Sequence, residues 1–370
     1  MRVGIDGREL QKDRMTGIGR YLLNFLSYAL SIKPEWEFII FGNQNTNIDL
    51  ESSNLRKIFV PEHITLWWDQ VQLPYHIEKE KIDLFFSPYY KAPIFSPGKV
   101  IITIHDLIPF FLSFLKKSNP SLKRVLLKNW GKIIARKAQA IITVSENSKK
   151  DIVKILKIPD GKIVVAPNSV ENRYQPISDG KVLERIKKKY NITKEYIFNL
   201  GNLKPHKNVS GLLKAYSQFS HNLKNRYQLV IVGKKERYLN ALANLTKELQ
   251  LDTLFIDYVQ DPDLPALLSS AEFLVFPSFY EGFGLPVLEA MACGCPVVSS
   301  NTSSMPEVLG DAALFFDPYH VEEMSLAMRK MLEDKNLRNK FRQKGLERAR
   351  LFTFEKTASR ILDVFESVLA

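Results

Sequence analysis

A chain of 370 residues is long for one compact core and fits two domains. Its 45% hydrophobic and 25% charged residues exclude a disordered or fibrous protein. Two cysteines, Cys293 and Cys295, exclude a disulfide scaffold and a four-thiolate zinc site, and the net charge of +12 calls for an anionic partner.

The chain opens MRVGIDGREL, with charges where a signal peptide needs its apolar stretch. YLLNFLSYAL (21–30) is shorter than the roughly 18 apolar residues of a membrane span, so a cytoplasmic protein is expected. MRVGID (1–6) reads as the first strand, and TGIGRY (16–21) leads into a helix. EFIIFG, KIFV, DLFFSP, KVIITIHD, AIITVS and KIVVAP follow as short runs of Ile, Val and Phe bounded by turn residues. Continuous apolar runs of this kind suit parallel strands buried on both faces. Ser145 reads as the N-cap of a helix beginning at Glu146.

Residues 171–192 break the strand pattern, and the domain junction is expected there. A second series follows: YIFNLG, YQLVIVG, TLFIDYV, FLVFPS, CPVVSS and ALFFDP, alternating with helical segments. Two such βα series predict an α/β protein of two Rossmann-like parallel-sheet domains facing across a cleft. The expected domains are residues 1–175 and 190–353, with a terminal helix, 354–370, returning to the first.

Charge separates the two halves. Residues 1–190 hold 31 Lys and Arg against 19 Asp and Glu; residues 191–370 hold 21 of each. The excess concentrates in 111–157, and 121–140 reads as a basic amphipathic helix with Leu122, Val125, Leu126, Ile133 and Ile134 at apolar positions. A solvated lysine face and an anionic membrane surface are both open to such a helix. No DNA- or RNA-binding motif accompanies the charge, so nucleic acid is not the expected partner.

Ligands of open α/β sheets bind beyond the carboxyl ends of the strands. In FPSFYEGFGLPVLEAMACGCPVV (276–298), Glu281, Gly282, Phe283 and Gly284 form a loop after a strand, and Leu285 and Pro286 open a helix. Its amides suit an anion. Glu281 is expected in the loop and Glu289 in the first helical turn, offering two carboxylates to hydroxyls. Asp261-Pro262-Asp263 spells a cation-binding Asp-x-Asp but precedes LPALLSSA, where Asp is expected as a helix cap, and no metal site is predicted.

The segment 276–314 resembles the donor-binding motif of retaining glycosyltransferases of family 4, which have the GT-B architecture. The resemblance extends to LGNLKPHKN (200–208), similar to the family's diphosphate-binding loop. Lys207 matches its lysine, whereas Asn202 stands where an arginine is common, leaving Lys204 or His206 to supply the second positive charge. GIGRY resembles the glycine loop near the donor phosphates and acceptor, which implicates Gly17 and Gly19. IHDLIP resembles the segment whose histidine, here His105, hydrogen-bonds the donor sugar; Asp106 would orient the imidazole or cap the next turn. Gly233 and Val259 end strands where the family's nucleotide base sits.

The resemblance implies a metal-independent hexosyltransferase of cell-surface polysaccharide synthesis, with Glu281 on the sugar hydroxyls, Glu289 on the ribose and no enzymatic nucleophile. The expected donor is GDP-mannose, and the expected acceptor a glycan or lipid-linked glycan at the inner membrane face. Rhamnosyl or glucosyl transfer from dTDP or UDP sugars, a nucleotide-sugar epimerase of the same architecture, and a non-enzymatic binding protein are the alternatives.

Overall fold

A computed structural model of the chain describes residues 1–11, 16–108, 122–234 and 238–370. They divide into two units, Met1–Asn168 with Thr353–Ala370, and Ser169–Phe352.

In the first unit β1 (Arg2–Asp6), β2 (Glu37–Gly42), β3 (Leu55–Phe59), β4 (Leu84–Ser87), β5 (Lys99–Ile104), β6 (Ala140–Thr143) and β7 (Ile163–Val165) form one parallel sheet, ordered β3-β2-β1-β4-β5-β6-β7. The apolar runs are continuous because both faces are covered. Phe38 and Ile40 point into one buried cluster, and Ile39 and Phe41, alternating with them, into another.

The helix Phe354–Leu369 belongs to the first of these clusters, through Ile361, Leu362 and Phe365. The Phe365 ring lies edge-on to Phe25, with centroids 5.6 Å apart, and 5.1 Å from Phe86. Thr353 caps the helix, accepting from Lys356 N–H at 3.4 Å, and Arg360 donates to the Val165 carbonyl at 3.0 Å. Burial of one amphipathic face thus fixes this helix on the first unit, despite its place at the end of the sequence.

The second unit repeats the plan with β8 (Glu195–Leu200), β9 (Tyr227–Val232), β10 (Thr253–Ile256), β11 (Phe273–Phe276), β12 (Val297–Ser300) and β13 (Ala313–Phe316). All are parallel, in the order β10-β9-β8-β11-β12-β13. Strand order reverses between β1 and β4 in the first sheet and between β8 and β11 in the second. Each reversal leaves a crevice at the carboxyl ends of two neighbouring strands.

The boundary expected at 175 moves: residues 169–175 belong to the second unit. Arg173 pairs with Asp261 at 3.3 Å, Tyr174 is buried, and the Ile177 N–H donates to Ser269 Oγ at 3.0 Å, which draws the linker there. Ser145 caps Glu146–Asp151 as expected, accepting from the Ser148 N–H at 3.0 Å.

The basic helix is observed as Leu122–Lys137. Residue 121 and the side chains of Leu122, Val125 and Leu126 lie outside the described residues. Ile134 is buried and Ile133 is 41% exposed, so its expected apolar positions do not share one environment. Among the described residues no helix is long and apolar enough to cross a membrane.

Candidate functional site

The β8 and β11 loops flank the crevice of the second sheet. The β8 loop leaves through Gly201, at φ +155°, and Gly233 at the end of β9 lies against it. A Cβ on Gly233 would stand 2.0 Å from the Gly201 carbonyl oxygen, so only glycine permits this approach. Pro205–Lys207 then makes one tight turn, and Asn208, left-handed at φ 53°, opens the helix Val209–Ser217. The Asn208 amide donates to the Pro318 carbonyl at 2.9 Å, pinning the end of the turn. This fixes Lys207, whose Nζ lies 2.5 Å from Glu281 Oε1 and 5.2 Å from the Phe276 ring centroid.

Glu281 is held by its backbone. Its N–H donates to Ser303 Oγ at 2.8 Å, and its carbonyl accepts from Ser303 Oγ and, at 3.1 Å, from Ser304 Oγ. Ser304 also reaches the Phe283 carbonyl at 3.2 Å. The two loops meet where the Phe279 N–H donates to the His206 carbonyl at 2.8 Å. Lys207 and Glu281 therefore face each other with little solvent, an arrangement that costs desolvation but fixes both charged groups. Three buried polar atoms of these loops have no partner: Asn202 Oδ1, His206 Nδ1 and Ser278 Oγ. Orphaned polar atoms beside a fixed ion pair suit a polar ligand.

Gly284, at φ 95°, precedes the helix Leu285–Ala292 and gives it no side-chain cap. A Cβ there would lie 2.5 Å from Met305 Cε. Glu289 corrects the expectation of a first-turn residue. The helix begins at Leu285, so Glu289 falls in the second turn, and it is buried. It therefore serves no dipole at the helix start. Phe283 packs edge-on to Phe352, with centroids 5.7 Å apart, and so anchors the loop; Gly282 is buried and Leu285 partly buried. Val259, beyond β10, is buried beside the exposed Tyr258.

His206 is buried, and burial with the neighbouring Lys207 lowers its pKa to about 4. It is neutral at pH 7 and cannot supply the second positive charge expected of it. Lys204, exposed in the same loop, remains. Asp261 and Asp263 also depart from expectation, because neither makes a side-chain helix cap. Asp263 takes Lys189 at 2.6 Å and the Tyr190 hydroxyl at 2.7 Å, while Asp261 takes Arg173. Both cysteine thiols are buried, which raises their pKa values.

In the first unit the glycines of TGIGRY lie in the opening turn of the helix Gly17–Ile32 and not in a loop before it. Thr16 Oγ1 accepts the Gly19 N–H at 3.0 Å and donates to Glu9 at 2.8 Å. The Gly19 amide is thus engaged by the helix's own cap. His105 follows β5, and its Nε2 lies 2.9 Å from the Pro88 carbonyl oxygen. Tyr21 packs edge-on against the His105 ring at 4.9 Å, and burial lowers the His105 pKa to about 4. Asp106 caps the next turn, accepting from the Ile108 N–H at 2.9 Å.

One cluster has no counterpart among the expected residues. Arg8 donates to Asp6 at 2.7 and 3.0 Å and to Asp69 at 2.6 Å, with its guanidinium 3.8 Å above the Trp68 ring. The Tyr89 hydroxyl donates to Asp6 at 2.8 Å. The available signal was Asp6 and Arg8, charged residues two apart at the carboxyl end of an apolar strand.

The family model described as "Glycosyl transferases group 1" matches residues 183–348, and "Glycosyltransferase Family 4" matches residues 33–173. An Escherichia coli relative, "O-antigen chain mannosyltransferase B", is 35% identical over 231 residues, covering 62% of this chain and 61% of that protein. The chain therefore spans less than two thirds of that relative's length. A Campylobacter jejuni relative, "N-acetylgalactosamine-N,N'-diacetylbacillosaminyl-diphospho-undecaprenol 4-alpha-N-acetylgalactosaminyltransferase", is 31% identical over 266 residues, covering 70% of this chain and 68% of that protein.

The chain belongs to the group 1 glycosyltransferases of family 4. The solved sucrose-phosphate synthase of Thermosynechococcus elongatus superposes on this glycosyltransferase with a TM-score of 0.80, covering 100% of this chain and 99% of that one. At 18% identity it shows the fold alone, the GT-B architecture of two Rossmann-like domains. In this family 4 glycosyltransferase the β8 loop presents two cations among the described residues, the paired Lys207 and the exposed Lys204.

Proposed function

We propose that this glycosyltransferase moves a mannosyl residue from GDP-mannose to a glycan or lipid-linked glycan acceptor in polysaccharide synthesis, with retention of configuration. The carrying observation is the Lys207–Glu281 pair at the switch point of the second sheet, in loops that hold three unpartnered buried polar atoms. A diphosphate takes the Lys207 ammonium and releases Glu281 to accept sugar hydroxyls. Lys204 and the amides at Gly284 and Leu285 add positive potential, so the departing charge is met by fixed groups without a metal. Glu289 accepts the ribose hydroxyls. In the reaction the bond from C1 to the donor phosphate oxygen breaks, and its electron pair stays with GDP. The acceptor oxygen bonds C1 on the same face, and its proton passes to the leaving phosphate.

The mannose assignment is supported by the name of the Escherichia coli relative, a mannosyltransferase, and the lipid-linked acceptor by that of the Campylobacter jejuni one. His105, neutral at pH 7, accepts a hydrogen bond from a sugar hydroxyl at Nδ1. Incubation with GDP-mannose and a polyprenyl-diphosphate-linked acceptor glycan should yield GDP and an α-mannoside in equal amounts, read by NMR of the anomeric signal. A β-mannoside, or free mannose alone, would refute the proposed reaction.

The partner surface is an anionic membrane face. Leu122–Lys137 exposes Trp130, Ile133, Arg136 and Lys137, and Lys137 Nζ lies 4.0 Å above the ring of the exposed Phe95. Aromatic and basic side chains on one exposed helix suit the headgroup region. The protein should co-sediment with vesicles containing an anionic phospholipid and release in high salt. Equal indifference to anionic and neutral vesicles would remove this partner.

A further inference from the structure

His105, Pro88 and Asp6 stand at the carboxyl ends of β5, β4 and β1, three neighbouring strands. A carbonyl oxygen only accepts, so the 2.9 Å contact with the Pro88 carbonyl requires the hydrogen on His105 Nε2 and leaves a lone pair on Nδ1. What holds that carbonyl is the next residue. The Tyr89 hydroxyl donates to Asp6 Oδ2, and the Tyr89 carbonyl accepts from Ser87 Oγ at 3.0 Å. Asp6 in turn is gripped by Arg8, itself fixed by Asp69 and Trp68. Burial keeps the Tyr89 phenol protonated, so it remains a donor. The Ser148 hydroxyl donates to the His105 carbonyl at 3.2 Å, holding the other side of the contact.

We infer that Asp6, Arg8 and Tyr89 are positioning residues that hold the Pro88 carbonyl against His105 Nε2 and thereby keep Nδ1 as the acceptor turned to substrate. A neutral imidazole without that carbonyl divides between two tautomers, and the form with hydrogen on Nδ1 cannot accept at that atom. The cluster thus acts through the β4 loop and touches no substrate itself. This inference rests on the proposed role of His105 in transfer, and its test separates the two.

Tyr89→Phe keeps the ring and removes only the hydroxyl bond to Asp6. The His105 ring nitrogens are followed by NMR of ¹⁵N-histidine-labelled protein, with the signals assigned by their loss in His105→Asn. Wild type should show one tautomer, protonated at Nε2. Tyr89→Phe should show both, with kcat lowered about fivefold, the worth of one hydrogen bond, and KM for GDP-mannose little changed. A single Nε2–H tautomer in Tyr89→Phe would overturn the inference. Mixed tautomers with an unchanged kcat would uphold the clamp and overturn the role of His105 in transfer. Should Tyr89→Phe fail to fold, Ser87→Ala removes the bond to the Tyr89 carbonyl, loosens the residue that follows the Pro88 carbonyl, and is read by the same spectra.

Discussion

Lys207→Met is expected to lower kcat/KM by about 10²- to 10³-fold, the usual cost of removing one fixed group that stabilises charge developing in a transition state. Methionine keeps an apolar stem against Phe276 and removes only the ammonium. The loss arises because a departing diphosphate gathers negative charge as the C1–O bond breaks. Nothing else in the β8 loop has the same placement: His206 is neutral, Asn202 carries no charge, and Lys204 is solvent-exposed. The variant leaves Glu281 without its cation in a nearly closed setting, so a thermal melt must show that it is folded before rates are compared. A wild-type rate in a folded Lys207→Met protein would remove Lys207 from the reaction.

Glu281→Gln is expected to reduce kcat/KM by about 10- to 100-fold, in line with a charge-assisted hydrogen bond exchanged for a neutral one. The amide matches the carboxylate in shape, and the backbone bonds to Ser303 and Ser304 do not depend on the side chain, so the loop should keep its path. The double variant Lys207→Met, Glu281→Gln should lose less than the sum of the two single losses in free energy. Both partners of one contact are then absent, and neither charge is stranded. Steady-state kinetics of the four proteins measure this directly; full additivity would mean that the two residues act apart.

The strands were legible because parallel strands covered on both faces are written as unbroken apolar runs, as in EFIIFG and YQLVIV. The terminal helix was legible from its apolar spacing, which becomes the contact of Ile361, Leu362 and Phe365 with the first sheet. Lys207 and Glu281 were each singled out, but their 2.5 Å contact spans 74 residues and depends on the reversal of strand order between β8 and β11.

Local competition for hydrogen bonds hid other features. Thr16 takes the Gly19 amide that the glycine-rich segment was expected to offer to phosphate. Asp261 and Asp263, read as caps, are drawn off by Arg173, Lys189 and Tyr190, the last two 74 and 73 residues before Asp263. Burial made His206 neutral, and its place between Lys204 and Lys207 in the sequence gives no sign of that burial. The Arg8 cluster joins residues 6, 8, 69 and 89, which are far apart in the sequence and meet only in the fold, residues 6 and 89 at the ends of the paired strands β1 and β4.

The most direct measurement is a thermal-shift titration of the wild-type protein with GDP-mannose, UDP-glucose, dTDP-rhamnose and ADP-glucose, with and without EDTA, repeated on Lys207→Met. GDP-mannose alone should raise Tm, by the same amount in EDTA, and the shift should be lost in the variant. No shift with any nucleotide sugar, or a shift that EDTA abolishes and Lys207→Met retains, would contradict a donor held by the β8 and β11 loops.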